Sequence, residues 1–318
     1  MKLHELVNFR NSLQTAIDLA AMSMVIEKSK QNLQDISLDV KSEYKDAVND
    51  IVAKYKQIQD NLNGPMNDAL NLIGQIEKEI ESIGSRLFQG NYDLELSFKD
   101  DDMLPTNIRN YRHWRRIRMD LDDSADKHLL SRINLYSNYK YPALEIGCRD
   151  GEYTQYLVAS DPLYIADVHK EFLTSAVSKF DDMYSSRVRK YLIKNNQIQG
   201  LPSNQFNFIF SYNFFNYLSF DSIKQWMLAA YDWLRPGGII LFTYNNCDLG
   251  VGAAYAENRY MSYVPRSFLV PMCESIGFVM TEHRDYDPNI SWVEFRKPGE
   301  LQTVKASQAL GEIKYINR

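Results

Sequence analysis

Ala143-Leu144-Glu145-Ile146-Gly147-Cys148-Arg149-Asp150-Gly151 is an apolar run that breaks into an acidic turn bearing two glycines, and the residues that follow, Glu152 to Val158, carry a helical pattern. Glycine is needed where backbone turns tightly and approaches a ligand with no Cβ between them. A helix opening behind such a loop presents unbonded N–H groups to a polar ligand. The same turn also serves as plain punctuation in any unit that joins a strand to a helix. Leu163-Tyr164-Ile165-Ala166-Asp167-Val168 reads as a second short apolar strand ending in a carboxylate, Asp167, sixteen residues past Gly151. A nucleoside-binding βαβ unit places an acceptor for ribose hydroxyls at that point.

Together these stretches resemble the class I S-adenosylmethionine-dependent methyltransferases, whose first motif has the form acidic-x-Gly-x-Gly-x-Gly and whose second strand ends in an acidic residue. Glu145, Gly147 and Gly151 match the first motif and Asp167 matches the ribose ligand, with Cys148 and Val168 beside them. Arg149 replaces the middle glycine, which puts a side chain where the methionine end of the cofactor is expected. Leu201-Pro202 and the strand Gln205 to Ser211 resemble the loop and fourth strand that close over the adenine. Asn196 and Gln197, just upstream, are both in reach of the position that contacts the adenine amino group. Trp233-Leu234-Arg235-Pro236-Gly237-Gly238 followed by Ile239 to Phe242 resembles the helix end, Pro-Gly-Gly turn and fifth strand of these enzymes. Gly277 to Glu282 and Ile290 to Phe295, around the turn-rich Asp285 to Asn289, read as a closing hairpin. The resemblance covers residues 128–298. It implies an α/β fold, a Rossmann-like doubly wound sheet of about seven strands with a C-terminal antiparallel hairpin, and S-adenosyl-L-methionine as cofactor.

The first ninety residues are of another kind. Tyr44, Val48, Ile51, Tyr55, Ile58 and Leu62 alternate in steps of four and three, and after Asn63-Gly64-Pro65 the pattern resumes as Met66, Ala69, Ile73, Ile76, Ile80, Ile83 and Leu87. That is a heptad seam broken by a proline that stops or kinks the helix. Leu3 to Lys30 is helical in pattern too, with Leu6, Phe9, Leu13, Ile17 and Met24 on one side. The pattern predicts a helical coiled-coil arm over residues 1–90. Isoleucine at both core layers favours three strands, so a homotrimer is the first expectation. A hairpin, packing on the chain's own second domain, or another protein of an assembly would cover the same stripe.

Residues 91–127 read as a linker, with a short strand at 91–98 and a basic helix from Pro105 that carries Arg109, Arg112, His113, Arg115, Arg116 and Arg118. With Tyr111 and Trp114 these arginines could bind phosphate or an acidic partner, but the acids Asp120, Asp122, Asp123 and Asp126 follow at once and can neutralise them in cis, so a salt-bridged structural helix is the first expectation. A tail over 299–318 ends the chain.

The chain has 318 residues, enough for two domains, and its 45% apolar content supports a buried core. A net charge of −5 argues against general affinity for nucleic acid or anionic membrane. Three cysteines without metal spacing point to a reducing compartment and no metal. With no long apolar run and no signal-peptide pattern, the expectation is a cytoplasmic or virion-associated protein, neither secreted nor transmembrane.

The sulfonium of the implied cofactor is already an activated methyl donor, so the protein's tasks are positioning and, for an oxygen or nitrogen nucleophile, removal of one proton. His169 and His283 are the candidate bases; Tyr212 and Tyr244, at the ends of strands four and five, are candidates to orient a substrate. Each has an equally simple structural reading. Ser211-Tyr212-Asn213-Phe214 stands where base-modifying enzymes carry Asp/Asn-Pro-Pro-aromatic, and no Pro-Cys nucleophile is present, which disfavours a DNA base as acceptor. The acceptor is expected to be a small molecule, sugar or protein. It should lie against the glycine- and tyrosine-bearing loop Asn245 to Pro265, expected to be mobile, at the carboxyl side of the sheet. The alternative is a methyltransferase-like structural or adaptor subunit of a larger assembly, in which a stalk carries an enzyme-like head; the analogy is to phage virion proteins.

Overall fold

The computed structural model describes residues 2–36, 64–87, 123–286 and 290–300. The chain divides into two compact units, Met1–Arg86 and Leu87–Arg318. In the first, helix α1 spans Leu3–Ile36, six residues beyond the predicted end, and helix α2 spans residues 64–87. The Glu5 carboxylate accepts a 2.8 Å hydrogen bond from the Lys2 backbone N–H, which lowers its pKa and satisfies a donor at the start of α1. Pro65 stands in the first turn of α2, where its missing N–H breaks no helical bond. Ile73, Ile76 and Ile80 are buried within the single chain, at the spacing of the predicted seam. On α1, Leu6 is buried, whereas Phe9, predicted to share its side, is exposed. The heptad run at 44–62, the strand at 91–98, the basic helix and the tail from 301 lie outside the described residues.

The first described element of the second unit is helix α3, Asp123–Tyr136, which starts five residues ahead of the predicted His128. Strands β1 (Ala143–Ile146), β2 (Leu163–Asp167), β3 (Arg189–Leu192), β4 (Phe206–Ser211), β5 (Leu234–Tyr244), β6 (Val279–Tyr286) and β7 (Ile290–Arg296) form one sheet in the order β3-β2-β1-β4-β5-β7-β6. The first five are parallel, and β7 runs antiparallel between β5 and β6. This is the Rossmann-like sheet and closing hairpin expected from the sequence. β1, β2 and β4 are buried at every residue, as strands covered on both faces must be. Leu144 and Ile146 enter one core with helices α6 (Phe220–Trp233) and α8 (Arg266–Ile276). Ala143 enters the other, against α3 and helix α4 (Lys170–Val177). A one-turn helix α5 (Asp182–Ser185) leads into β3, and helix α7 (Gly250–Glu257) lies between β5 and α8.

Four local expectations are corrected. Behind the glycine loop the predicted helix Glu152–Val158 is a single 3-10 turn, Thr154–Tyr156. Thr154 and Leu157, at the two ends of this turn, are both fully buried. The Pro-Gly-Gly segment is not a turn ahead of β5 but part of it: Leu234 already pairs with Phe206, and the register shift before Ile239 absorbs the extra residues. β6 runs on to Tyr286, past the predicted end at Glu282. The loop 245–265 contains α7 and is held in place: a Cβ on Gly252 would stand 2.0 Å from the Asn246 carbonyl oxygen, so this glycine serves close packing, not motion.

Candidate cofactor and acceptor site

The strand order reverses between β1 and β4, and open α/β sheets bind ligands in the crevice at the carboxyl ends of the strands flanking that reversal. Ser211, the last residue of β4, donates its hydroxyl to the Ile146 carbonyl at 2.8 Å and pins the two strands together there. Its hydroxyl is thereby committed to backbone.

The loop after β1 is determined by its neighbours. Gly147 has φ +77, and a Cβ on it would stand 2.9 Å from Phe214; Gly151 has φ +83, and a Cβ would stand 2.8 Å from the Ala176 Cα on α4. Both positions require glycine twice over, by backbone conformation and by contact. The amides of Gly147 and Cys148 donate to Ala166 O, that of Arg149 to Asp167, and that of Gly151 to Cys148 O. The loop thus spends three of these N–H groups on β2 and one on itself, and the 3-10 turn behind it is no substitute for the helix terminus expected there. Cys148 is buried, which pushes its thiol pKa up and keeps it a neutral packing group.

Asp167 closes β2 with 3% of its surface exposed. One carboxylate oxygen accepts from Arg149 N at 2.9 Å and the other from His169 N at 3.0 Å. Burial raises its pKa, against the pull of these bonds. Glu145 is buried on β1 and accepts from the Thr154 hydroxyl at 2.6 Å; burial raises its pKa to about 8, with the charge of Asp167 adding to the rise. Val168 is half-buried against the core.

Past β3, the two adenine-side candidates separate. Gln197 is exposed, while Asn196, at φ +57, accepts from the Trp226 indole N–H at 2.8 Å. The Nδ2 of Asn196 is buried without a hydrogen-bond partner among the described residues. Both line a cavity of about 400 Å³ with Gln225, Trp226, Leu228 and Trp233.

The reaction candidates are scattered. His169 caps α4 and packs its ring on Phe172, 5.3 Å between centroids, two residues from Asp167. His283 lies within edge strand β6, paired with Val293 and exposed, three residues short of the strand's end. Tyr212 follows β4 and packs on Tyr153 at 4.6 Å. Tyr244 ends β5 fully buried, and burial raises its pKa. Sequence reasoning missed Thr154, Phe214 and the buried network in which Asn213 N donates to Thr243 Oγ1, which in turn donates to Asn216 Oδ1. Only the residue type of Asn213, which tolerates the positive φ found there, could have hinted at that turn. Among the described residues no group of three or more His, Cys, Asp or Glu could hold a metal ion, and no helix is long and apolar enough to cross a membrane.

These residues fit S-adenosylmethionine. Each Asp167 oxygen keeps acceptor capacity for a ribose hydroxyl, and the orphaned Asn196 amide is a donor of the kind a purine ring nitrogen satisfies.

Residues 144–240 match the sequence profile of a family described as a methyltransferase domain. No curated protein matches the chain. Similar solved structures include an S-adenosylmethionine-dependent methyltransferase from Mesorhizobium loti, 11% identical over 53% of this chain and 95% of that one at a TM-score of 0.44. Another is from Aquifex aeolicus, 16% identical over 61% and 98% at 0.43. The N-methyltransferase NodS from Bradyrhizobium japonicum, in complex with S-adenosyl-L-homocysteine, is 17% identical over 67% and 99% at 0.44. Residues 144–240 are thus similar to a methyltransferase domain, and they lie in a sheet whose strand order reverses between β1 and β4.

Proposed function

We propose that the chain transfers the methyl group of S-adenosylmethionine to a small molecule, sugar or protein side chain bound beside the 245–265 segment, with the N-terminal helices as its means of association. The observation that carries this reading is Asp167, a buried carboxylate at the end of β2 whose two hydrogen bonds fix its orientation and leave acceptor sites open. In this reading Asp167 takes the ribose hydroxyls and Asn196 the adenine edge. Glu145, Gly147, Cys148 and Gly151 hold the loop, with Val168 and Ser211 along its margin. When bound, the cofactor supplies a methyl group on a sulfonium, already activated for transfer. The protein then has to orient the acceptor and accept one proton, and His169 is the nearer of the two histidine candidates by sequence distance from Asp167.

Calorimetry with S-adenosylhomocysteine tests the reading. Asp167→Ala should weaken binding by about 1.5–3 kcal/mol, roughly tenfold to a hundredfold, the range for hydrogen bonds to a charged group. Unchanged affinity would remove Asp167 from the site. A second reading, a head domain serving an assembly, draws support from the loop amides bonded within the protein and the short turn behind them. Wild-type protein that binds neither S-adenosylmethionine nor S-adenosylhomocysteine at millimolar concentration would favour it.

A further inference from the structure

We infer that Arg149 is a ligand for the carboxylate at the methionine end of the cofactor, setting which way round the cofactor lies; this rests on the cofactor reading above. Arg149 occupies the loop after β1 at φ +50, a left-handed conformation that is uncommon for arginine and costs of the order of 1 kcal/mol. Its own N–H bond to Asp167 holds it there. The backbone of Arg149 is thus part of the ribose-side construction while its side chain is left over.

That side chain is half-buried, and its guanidinium has no ion pair or hydrogen bond among the described residues. The other half-buried arginines of the sheet unit are all engaged. Arg132 pairs with Glu294, Arg266 with Asp285, and Arg235 lies over the Tyr141 ring at 4.6 Å. The nearby carboxylates do not take Arg149: the Asp167 oxygens accept from backbone N–H groups, and Glu145 accepts from Thr154. A partly desolvated guanidinium without an anion is unfavourable, and a planar carboxylate satisfies it with two parallel hydrogen bonds.

The sign of the charge selects the ligand group. Of the cofactor's polar ends, the ammonium and the sulfonium are cationic and would be repelled, while the α-carboxylate is anionic. Arginine in place of the middle glycine therefore marks the carboxylate end and does not obstruct the site.

Two probes separate the possibilities by calorimetry on the full chain: S-adenosylhomocysteine, which has the carboxylate, and 5′-methylthioadenosine, which shares the nucleoside and lacks it. Arg149→Gln should weaken S-adenosylhomocysteine binding by about tenfold to a hundredfold and leave methylthioadenosine binding unchanged, with Arg149→Lys recovering part of the loss. Intact methylthioadenosine binding doubles as the check that the variant is folded. Unchanged or tighter S-adenosylhomocysteine binding by Arg149→Gln overturns the inference, as does an equal loss for both probes, while the cofactor reading stands. Wild type that binds neither probe overturns both.

Discussion

At the scale of single residues, the site is built around two buried carboxylates with different partners. Asp167 is held by backbone N–H groups, Glu145 by one hydroxyl, and the difference shows in the pH response expected of Glu145. Its pKa rises from an ordinary 4.5 to about 8 because burial disfavours the charged form. Between those values the folded protein holds a proton that the unfolded chain does not. The stabilisation from the protonated carboxyl is therefore complete below about pH 4.5 and is lost as pH rises through about 8, on the order of 5 kcal/mol in all. Glu282 and Asp285, whose pKa values are lowered, lose their contribution only at pH below this window. Thermal melts from pH 5 to 8 should fall more steeply for wild type than for Glu145→Gln, which cannot ionise. Parallel curves would mean that Glu145 is charged in the folded protein throughout. The sequence placed Glu145 and Asp167 at the ends of apolar strands. It could not show that Thr154 would turn back to meet the first of them, because that contact depends on the tight turn after Gly151.

Among the elements, the connection of α3 to the closing hairpin is held by charge. Arg132 donates through Nε and Nη2 to both oxygens of Glu294, each at 2.6 Å; Glu294 on β7 is fully buried, and the Tyr136 hydroxyl donates to it at 2.7 Å. Glu282 on β6 accepts a second contact from Arg132 at 3.0 Å. Removing one partner of such a pair leaves an uncompensated charge in the core. Arg132→Met should destabilise the sheet unit by about 3–5 kcal/mol, and adding Glu294→Leu should recover most of that. Denaturant melts of the two variants check this; a small loss for the single variant would mean that Glu294 finds another donor or takes up a proton. None of this was visible in the chain, because Arg132 and Glu294 lie 162 residues apart and each alone reads as an ordinary charged position.

At the level of the whole chain, Ile73, Ile76 and Ile80 on α2 are buried within one copy. The trimer drawn from the isoleucine spacing and intrachain cover drawn from this burial make different predictions. Ile76→Asp with Ile80→Asp places carboxylates in whatever covers the stripe, at a cost of several kcal/mol. If the stripe is an oligomer seam, light scattering should show wild type at three chains and the double variant at one, with the sheet unit keeping its own melting transition. A wild type that is already monomeric rules out the trimer and leaves the stripe packed within the chain or on a different protein.

The sequence by itself determined the sheet. Strands β1, β2 and β4 are apolar because parallel strands buried on both faces admit little else, and the glycine turn and Asp167 mark the carboxyl ends, the edge at which open α/β sheets bind ligands. Only the tertiary structure decided what the loop residues do. Gly147 and Gly151 are glycines because Phe214 and Ala176 press against them, the helix behind them is a single 3-10 turn with Thr154 and Leu157 buried, and the Arg149 side chain is left without a partner among the described residues. Apolar periodicity is carried by neighbours along the chain, so it can be read from the chain. Close contacts and unpaired charges are made between segments that meet only when the sheet closes.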